Sequence, residues 1–165
     1  MTLCFTVYGT AQPKGNMRAL QLRGMKFPIV TDSNRNVKSW SQLVAEGASH
    51  ALQQLPQHER ELLPLGVRVS LFFYLPRPKK HSKRGVFVPH CVAPDIDKLE
   101  RAVLDALSGV VYHDDRQVTE VVKGKYYADV DMPAHINVRV EAAPDVRLTV
   151  QPTACPLFDD QGQPA

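Results

Sequence analysis

Cysteine is scarce in this chain and odd in number. Three cysteines in 165 residues, Cys4, Cys91 and Cys155, are too few and too scattered for a disulfide framework or a zinc site. They read as reduced thiols of a cytoplasmic protein. No apolar run approaches the roughly 18–20 residues of a membrane helix. The opening stretch "MTLCFTVYGTAQPKG" has neither a charged leader nor a long apolar segment, so no signal peptide is visible. Internal repeats and low-complexity tracts are missing too, which leaves no repeat architecture to consider.

Acidic residues are absent from two long stretches. Between Gly9 and Thr31 there is no Asp or Glu, while Lys14, Arg18, Arg23 and Lys26 are basic. Between Leu62 and Pro94 the acids are again missing, and Arg68, Arg77, Lys79, Lys80, Lys83 and Arg84 accumulate. The net charge of +3 hides this segregation. Two cationic arms suit a polyanionic partner and create local potentials larger than the net charge suggests.

With 44% apolar and 22% charged residues, the composition is that of an ordinary globular domain. "LCFTVYG" alternates apolar and polar residues and predicts a strand. "GTAQPKGNMRALQLRG" reads as a loop, and "KFPIVT" as a short edge strand limited by Pro28. From about Ser39, Trp40, Leu43, Val44, Ala48, Ala51, Leu52 and Leu55 recur at helical spacing. "GVRVSLFFYLP" predicts a strand with Val67, Val69, Leu71 and Phe73 on one face. A second helix begins after Pro94 and ends at Gly109 as its C-terminal cap. "QVTEVVKGKYYADV" and "HINVRVEA" predict two more strands. The expected order is β-(β)-α-β-α-β-β, an α+β domain with two helices packed on a small mixed sheet. It occupies residues 1–142, and the Pro-rich stretch 143–165 reads as a mobile tail. Trp40 and the group from Phe72 to Tyr74 are expected in the core, and His81, His90 and His113 at the surface.

The informative segment is "APDIDKLERAVLDALSGVVYHDDRQ". Residues 95–120 hold seven of the 17 carboxylates and only three Lys or Arg. Each aspartate has an ordinary explanation. Asp95 is a natural N-cap; Asp97, Arg101 and Asp105 form an i,i+4 stripe; Asp114 and Asp115 mark a turn. Together they are less economical, because Asp95 and Asp97 repel each other. The helix dipole and Arg101 offset that repulsion by only about 0.3–1 kcal/mol each. A divalent cation offsets more, and Mg²⁺ and Mn²⁺ prefer carboxylate and water oxygens. An Asp-x-Asp at a helix start, completed by a third carboxylate from the loop beyond, is a phosphodiester-hydrolysing pattern. A lone Asp-x-Asp is a weak signal: "ADVDM" supplies another, Asp129 and Asp131, in a turn with no basic arm leading to it.

The segment resembles the RusA family of Holliday junction resolvases, found in bacteria, phages and prophages. Pro94-Asp95-Ile96-Asp97, Leu99, Asp105-Ala106-Leu107 and Asp114-Asp115-Arg116-Gln117-Val118 match the family pattern, and "GTAQPKGNMR" resembles its loop after the first strand. The resemblance spans roughly residues 3–141. It implies a homodimer that binds four-way DNA junctions and cuts two strands symmetrically with Mg²⁺, or Mn²⁺ in its place. By resemblance Asp95, Asp97 and Asp115 are the metal-binding catalytic carboxylates, with Asp114 counted beside them as a metal ligand that assists or caps the loop, and Arg101 joins the catalytic set. Arg101 stands where the family has a lysine, and Lys98 where it has an asparagine. Lys14, Arg18, Lys79, Lys80, Lys83, Arg84, Lys98 and Lys125 are the expected DNA contacts. No membrane partner is expected, and the origin is bacterial, phage or prophage.

The alternative is a non-catalytic junction-binding protein of the same fold, with Arg101 marking lost activity. A nucleotide-sugar transferase, the other common user of Asp-x-Asp, is disfavoured by 165 residues and the cationic arms. Arginine keeps a lysine's charge and grips phosphate bidentately, but its pKa is too high for proton transfer. Arg101→Lys is therefore expected to leave junction cleavage equal or faster; a large loss of rate would reject the equivalence of these two positions.

Overall fold

The computed structural model describes residues 2–15, 17–20, 29–32, 34–63, 66–78 and 88–143, with backbone only for 17–20 and 29–32. Lys79, Lys80, Lys83, Arg84, His81, the side chain of Arg18 and the tail from residue 144 lie outside the described residues. In chain order the elements are β1 (Thr2–Tyr8), β2 (Met17–Leu20), β3 (Ile29–Asp32), α1 (Val37–Gln54), β4 (Val67–Leu75), α2 (Ile96–Leu107), β5 (Val118–Tyr127) and β6 (His135–Ala142). One-turn 3-10 helices cover Gln57–Glu59 and Asp115–Gln117.

Four strands form one mixed sheet in the order β1-β6-β4-β5. β6 runs antiparallel to β1 and β4, whereas β5 runs parallel to β4. A parallel pair needs a crossover, and α2 supplies it. The expected α+β architecture is therefore present. One element was missed: residues 17–20, read as loop, pair antiparallel with β3 in a separate two-stranded sheet. Four residues are too few for a period to show against the flanking Gly and Pro.

The alternation of β4 places Val67, Val69, Leu71, Phe73 and Leu75 in the core, joined by Ile136, Val138 and Val140 of β6. Both helices cover this face. Leu99, Ala102, Val103, Ala106 and Leu107 form the buried stripe of α2, and Val37, Trp40, Val44 and Ala48 that of α1. Full burial of each Leu or Val contributes about 1.5–3 kcal/mol. The helices also touch each other, with Ser41 Oγ donating to the carbonyl of Ala102 at 3.5 Å.

Phe72 and Tyr74 correct an expectation. Only Phe73 of that group is core; its neighbours point to the opposite face, which no helix covers among the described residues. A strand reverses its side chains at every residue, so three consecutive aromatics cannot share one side. His90 is the second correction, being buried rather than exposed. Its ring packs on Tyr127 at 4.5 Å, and burial followed by the nearby Lys125 charge lowers its pKa.

Gly109 follows the last residues of α2 with φ +75° and donates to the carbonyl of Tyr112 at 2.7 Å. A methyl group there would meet nothing within 4 Å, so the left-handed backbone is the whole cost of substitution. Gly109→Ala is expected to destabilise the fold by about 1–2 kcal/mol, read as a fall in Tm of roughly 2–8 °C in a thermal melt.

Candidate metal and DNA site

The start of α2 is held by three anchors. Asp95 is the N-cap residue, with extended φ/ψ of −68° and 140°. On one side, the Lys125 amine donates to the carbonyls of Val92 at 2.7 Å and Pro94 at 2.6 Å. Residues 88–90 run along the edge of β5, the His90 amide bonding the carbonyl of Lys125 at 3.0 Å. On the other side, the loop after β1 docks on the helix. The Lys14 amide donates to the carbonyl of Lys98 at 2.9 Å, and the Lys14 amine pairs with Asp105 two turns further on. Asn34 fixes the same loop by donating to the carbonyl of Pro13 at 2.9 Å. A third tie, Lys123 with Glu100, clamps α2 to β5.

Within this frame neither helix-start carboxylate caps the helix, and Asp95 has only an i,i+3 ion pair at the surface. Asp95 makes no capping hydrogen bond although it occupies the capping position. Its neighbour is the Lys98 amine, 3.4 Å away. Asp97 lies exposed in the first turn, and its side chain has no ion pair or hydrogen bond among the described residues. Arg101 is likewise exposed and pairs with neither Asp97 nor Asp105 among them. The stripe read as two i,i+4 ion pairs is thus not one, since Asp105 is taken by Lys14.

Asp114 and Asp115 have different surroundings. Asp114 accepts from the Arg116 amide at 3.0 Å and from its guanidinium at 2.7 and 3.1 Å. Gln117 closes a capping box by accepting from the amides of His113 and Asp114 at 2.7 and 3.1 Å. The Arg116 side chain, then its amide, hold the Asp114 carboxyl down at about 2 against an ordinary 3.8. Asp115 is exposed. Its charge, after burial itself, pushes the Tyr112 hydroxyl up, and that hydroxyl donates to the carbonyl of Leu104 at 2.9 Å.

One chain does not bring the expected three carboxylates together. α2 is 12 residues long, about 18 Å at the standard rise. Asp95 and Asp97 open it, whereas Asp115 follows its far end, next to the beginning of β5. Lys125, which touches the Asp95 end, is seven residues along β5 from Val118, a comparable distance at the strand rise of about 3.3 Å. Accordingly, no three His, Cys, Asp or Glu converge on a metal-sized centre among the described residues.

The matching family model is that described as Endodeoxyribonuclease RusA, and it covers residues 9–141. The chain belongs to the RusA endodeoxyribonuclease family. A curated relative, "Uncharacterized protein YqaN" of Bacillus subtilis (strain 168), is 28% identical over 135 residues, covering 76% of this chain and 87% of that protein. The RusA match includes the loop with Lys14, all of α2 and the Asp114–Asp115 exit, so the elements that meet at the helix start lie inside it. No helix among the described residues is long and apolar enough to cross a membrane.

The RusA family implies a divalent metal, and the donors at the helix start fit one. Mg²⁺ commonly takes one or two carboxylates and fills its octahedron with waters and substrate phosphate oxygens. Asp95 and Asp97 are hard oxygen donors, close in sequence, solvent-accessible and not consumed by the fold. Asp114, by contrast, is committed to its cap. The depressed value of Asp114 makes its ion pair complete above an ordinary aspartate pKa of 3.8 and lost as pH falls through about 2. In metal-free buffer, carboxyl-carbon NMR of Asp114 is expected to titrate near pH 2, and Arg116→Ala to move that midpoint upward; an unmoved midpoint would remove Arg116 as the cause.

Proposed function

We propose that this chain is a divalent-metal-dependent endodeoxyribonuclease that resolves four-way DNA junctions by paired symmetric cuts, acting as a homodimer. The observation that carries this reading is the pair of exposed carboxylates, Asp95 and Asp97, at a helix start fixed by Lys14 and Lys125 in a RusA-family chain. Mg²⁺, with Mn²⁺ as substitute, is the metal this donor set suits. When bound, it supplies a polarised phosphate and a water acidified toward neutral pH.

The remaining work falls to the chain's own residues. Asp95 and Asp97 would hold the ion at the open end of α2. Lys98, half-buried beside Asp95, and the exposed Arg101 meet the phosphate backbone from the same helix. Arg101 offers a planar fork to two phosphate oxygens; it holds charge and moves no proton. Lys125 shapes the turn before Asp95 through the Val92 and Pro94 carbonyls, which makes it a positioning residue. Lys14 pins its loop and, through Asp105, shares its charge between the fold and the DNA. The basic residues Arg18, Lys79, Lys80, Lys83 and Arg84 extend the cationic surface by sequence, and the binding they support is steeply salt-dependent.

Asp115 enters through the dimer. It stands a helix length from Asp95 in its own chain, so a three-carboxylate centre needs a second copy. An isologous dimer exchanges the same element both ways, which creates two equal sites, as two symmetric cuts require. Asp114 then caps the turn that presents Asp115.

A labelled four-way junction with Mg²⁺, then Mn²⁺, tests the activity. The wild-type chain is expected to nick opposed strands of the junction and to spare linear duplex. Asp97→Asn is expected to cut more than about 100-fold slower, the upper range for loss of even an indirect metal support. Junction binding without nicks, unchanged in that variant, would leave a DNA-binding protein in place of a nuclease. Mixing inactive Asp97→Asn with inactive Asp115→Asn tests the shared site. Exchange across a two-fold leaves one intact centre in each mixed dimer, about half of all dimers at equal mixing, so single nicks return. If each centre lies within one chain, the mixture stays inactive.

A further inference from the structure

The sheet face turned away from the helices carries one row of rings spanning all four strands. Tyr8 of β1 is opposite His135 of β6, His135 opposite Tyr74 of β4, and Tyr74 opposite Tyr126 of β5. The Tyr74 and His135 rings stack at 4.5 Å with 13° between their planes. Tyr8 tilts on the far side of His135, and Tyr126 on the far side of Tyr74, each at 5.9 Å. The imidazole is fixed by Nδ1 against the carbonyl of Pro133 at 2.9 Å. Gly124 gives the Tyr126 ring its bed: a methyl at that position would stand 2.6 Å from the ring.

Three observations say what such a row is for. Tyr8 is 61% exposed, far more than a ring retained for packing requires. β1 and β4 both end at the row, so the two cationic segments, 9–31 and 76–94, both leave the sheet there. The row also lies at the Asp95 end of the molecule, because Tyr126 follows Lys125, whose amine bonds the carbonyl just before Asp95. A shallow depression of about 460 Å³ continues across the same face and includes Thr6, Ser70, Phe72, Asn137 and Arg139. Asn137 accepts from Thr6 at 2.9 Å, and its amide NH₂ has no partner among the described residues.

We propose that the row of Tyr8, His135, Tyr74 and Tyr126 is a stacking platform for an unpaired nucleobase of the DNA engaged at Asp95 and Asp97, with Tyr8 as the receiving ring. Aromatic rows on open sheets bind splayed bases in this way, since every base has a π-face. The proposal rests on the nuclease reading above. A junction is the substrate for which it matters, because bases at a branch point unstack more readily than those inside a duplex.

The test uses the full chain in EDTA, so that no strand is cut. A branched DNA carrying one unpaired 2-aminopurine at its branch point is titrated against a fully paired duplex of equal length. Stacking quenches 2-aminopurine. Wild type and Tyr8→Phe are expected to quench it alike. Tyr8→Ala and Tyr8→Leu are expected to lose the quench and to bind the branched DNA about 5- to 100-fold more weakly, with duplex binding unchanged. The leucine variant keeps apolar bulk at the position and so isolates the ring. Quench and affinity unaltered in both variants would overturn the platform, as would a change from dimer to monomer in sedimentation, which would make this face an interface between copies. A chain that cuts no DNA yet quenches through Tyr8 separates the two readings one way. A chain that cuts junctions with Tyr8 irrelevant separates them the other way.

Discussion

The packing of α2 on the parallel pair β4–β5 is the constraint on which the rest depends. The buried stripe of α2, from Leu99 to Leu107, fills the same face of the sheet as Val69, Leu71 and Phe73. It is a crossover helix, so its position also sets where β5 can begin. Once the apolar stripe is buried, the helix cannot rotate without exposing Leu99 or Val103. Its polar face, with Asp97, Lys98, Arg101 and Asp105, is thereby turned outward as a unit. Two lysines of β5 then fasten the helix lengthwise, Lys123 at Glu100 and Lys125 at the turn before Asp95. Hydrophobic burial supplies the energy here; the two polar ties supply register.

Electrostatics explains why two like charges can stand exposed at the helix start. A capping aspartate usually gives its carboxylate to the first-turn amides, and in this chain Asp95 does not. The partial positive charge of a helix N-terminus and the Lys98 amine, 3.4 Å from Asp95, face these two carboxylates and offset their mutual repulsion. At the other end of α2 the arrangement is reversed. Asp114 is engaged by its capping box and Arg116, and Asp115 lies exposed beside it. The two acidic pairs look alike in sequence, yet neither Asp95 nor Asp97 caps its helix, whereas Asp114 caps its turn.

Much of this was legible from residue order, and the failures share a cause. The alternation of β4 and β6 predicted their buried faces, because a one-sided sheet must alternate. The motif from Pro94 to Val118 placed the chain in its family before any contact was known. Three consecutive aromatics in β4 were misassigned because hydrophobicity outweighed the pleat. His90 was misplaced because nothing local announces that a strand edge and Tyr127 will enclose it. The i,i+4 pairs of α2 were read from helix geometry alone, and a lysine 91 residues earlier in the chain took their aspartate. The ring row was invisible because its four members come from four strands, brought level by register.

The sequence by itself determined the element types, the core faces, the charge segregation and the family, since each is written in local period, composition or motif. Only the tertiary structure decided which of the clustered acids cap and which do not, that Asp115 stands a helix length from Asp95, and that four distant rings share one face. Those are relations between segments far apart in the chain. They are set by how the crossover helix buries its stripe and how neighbouring strands align, and no local pattern carries that information.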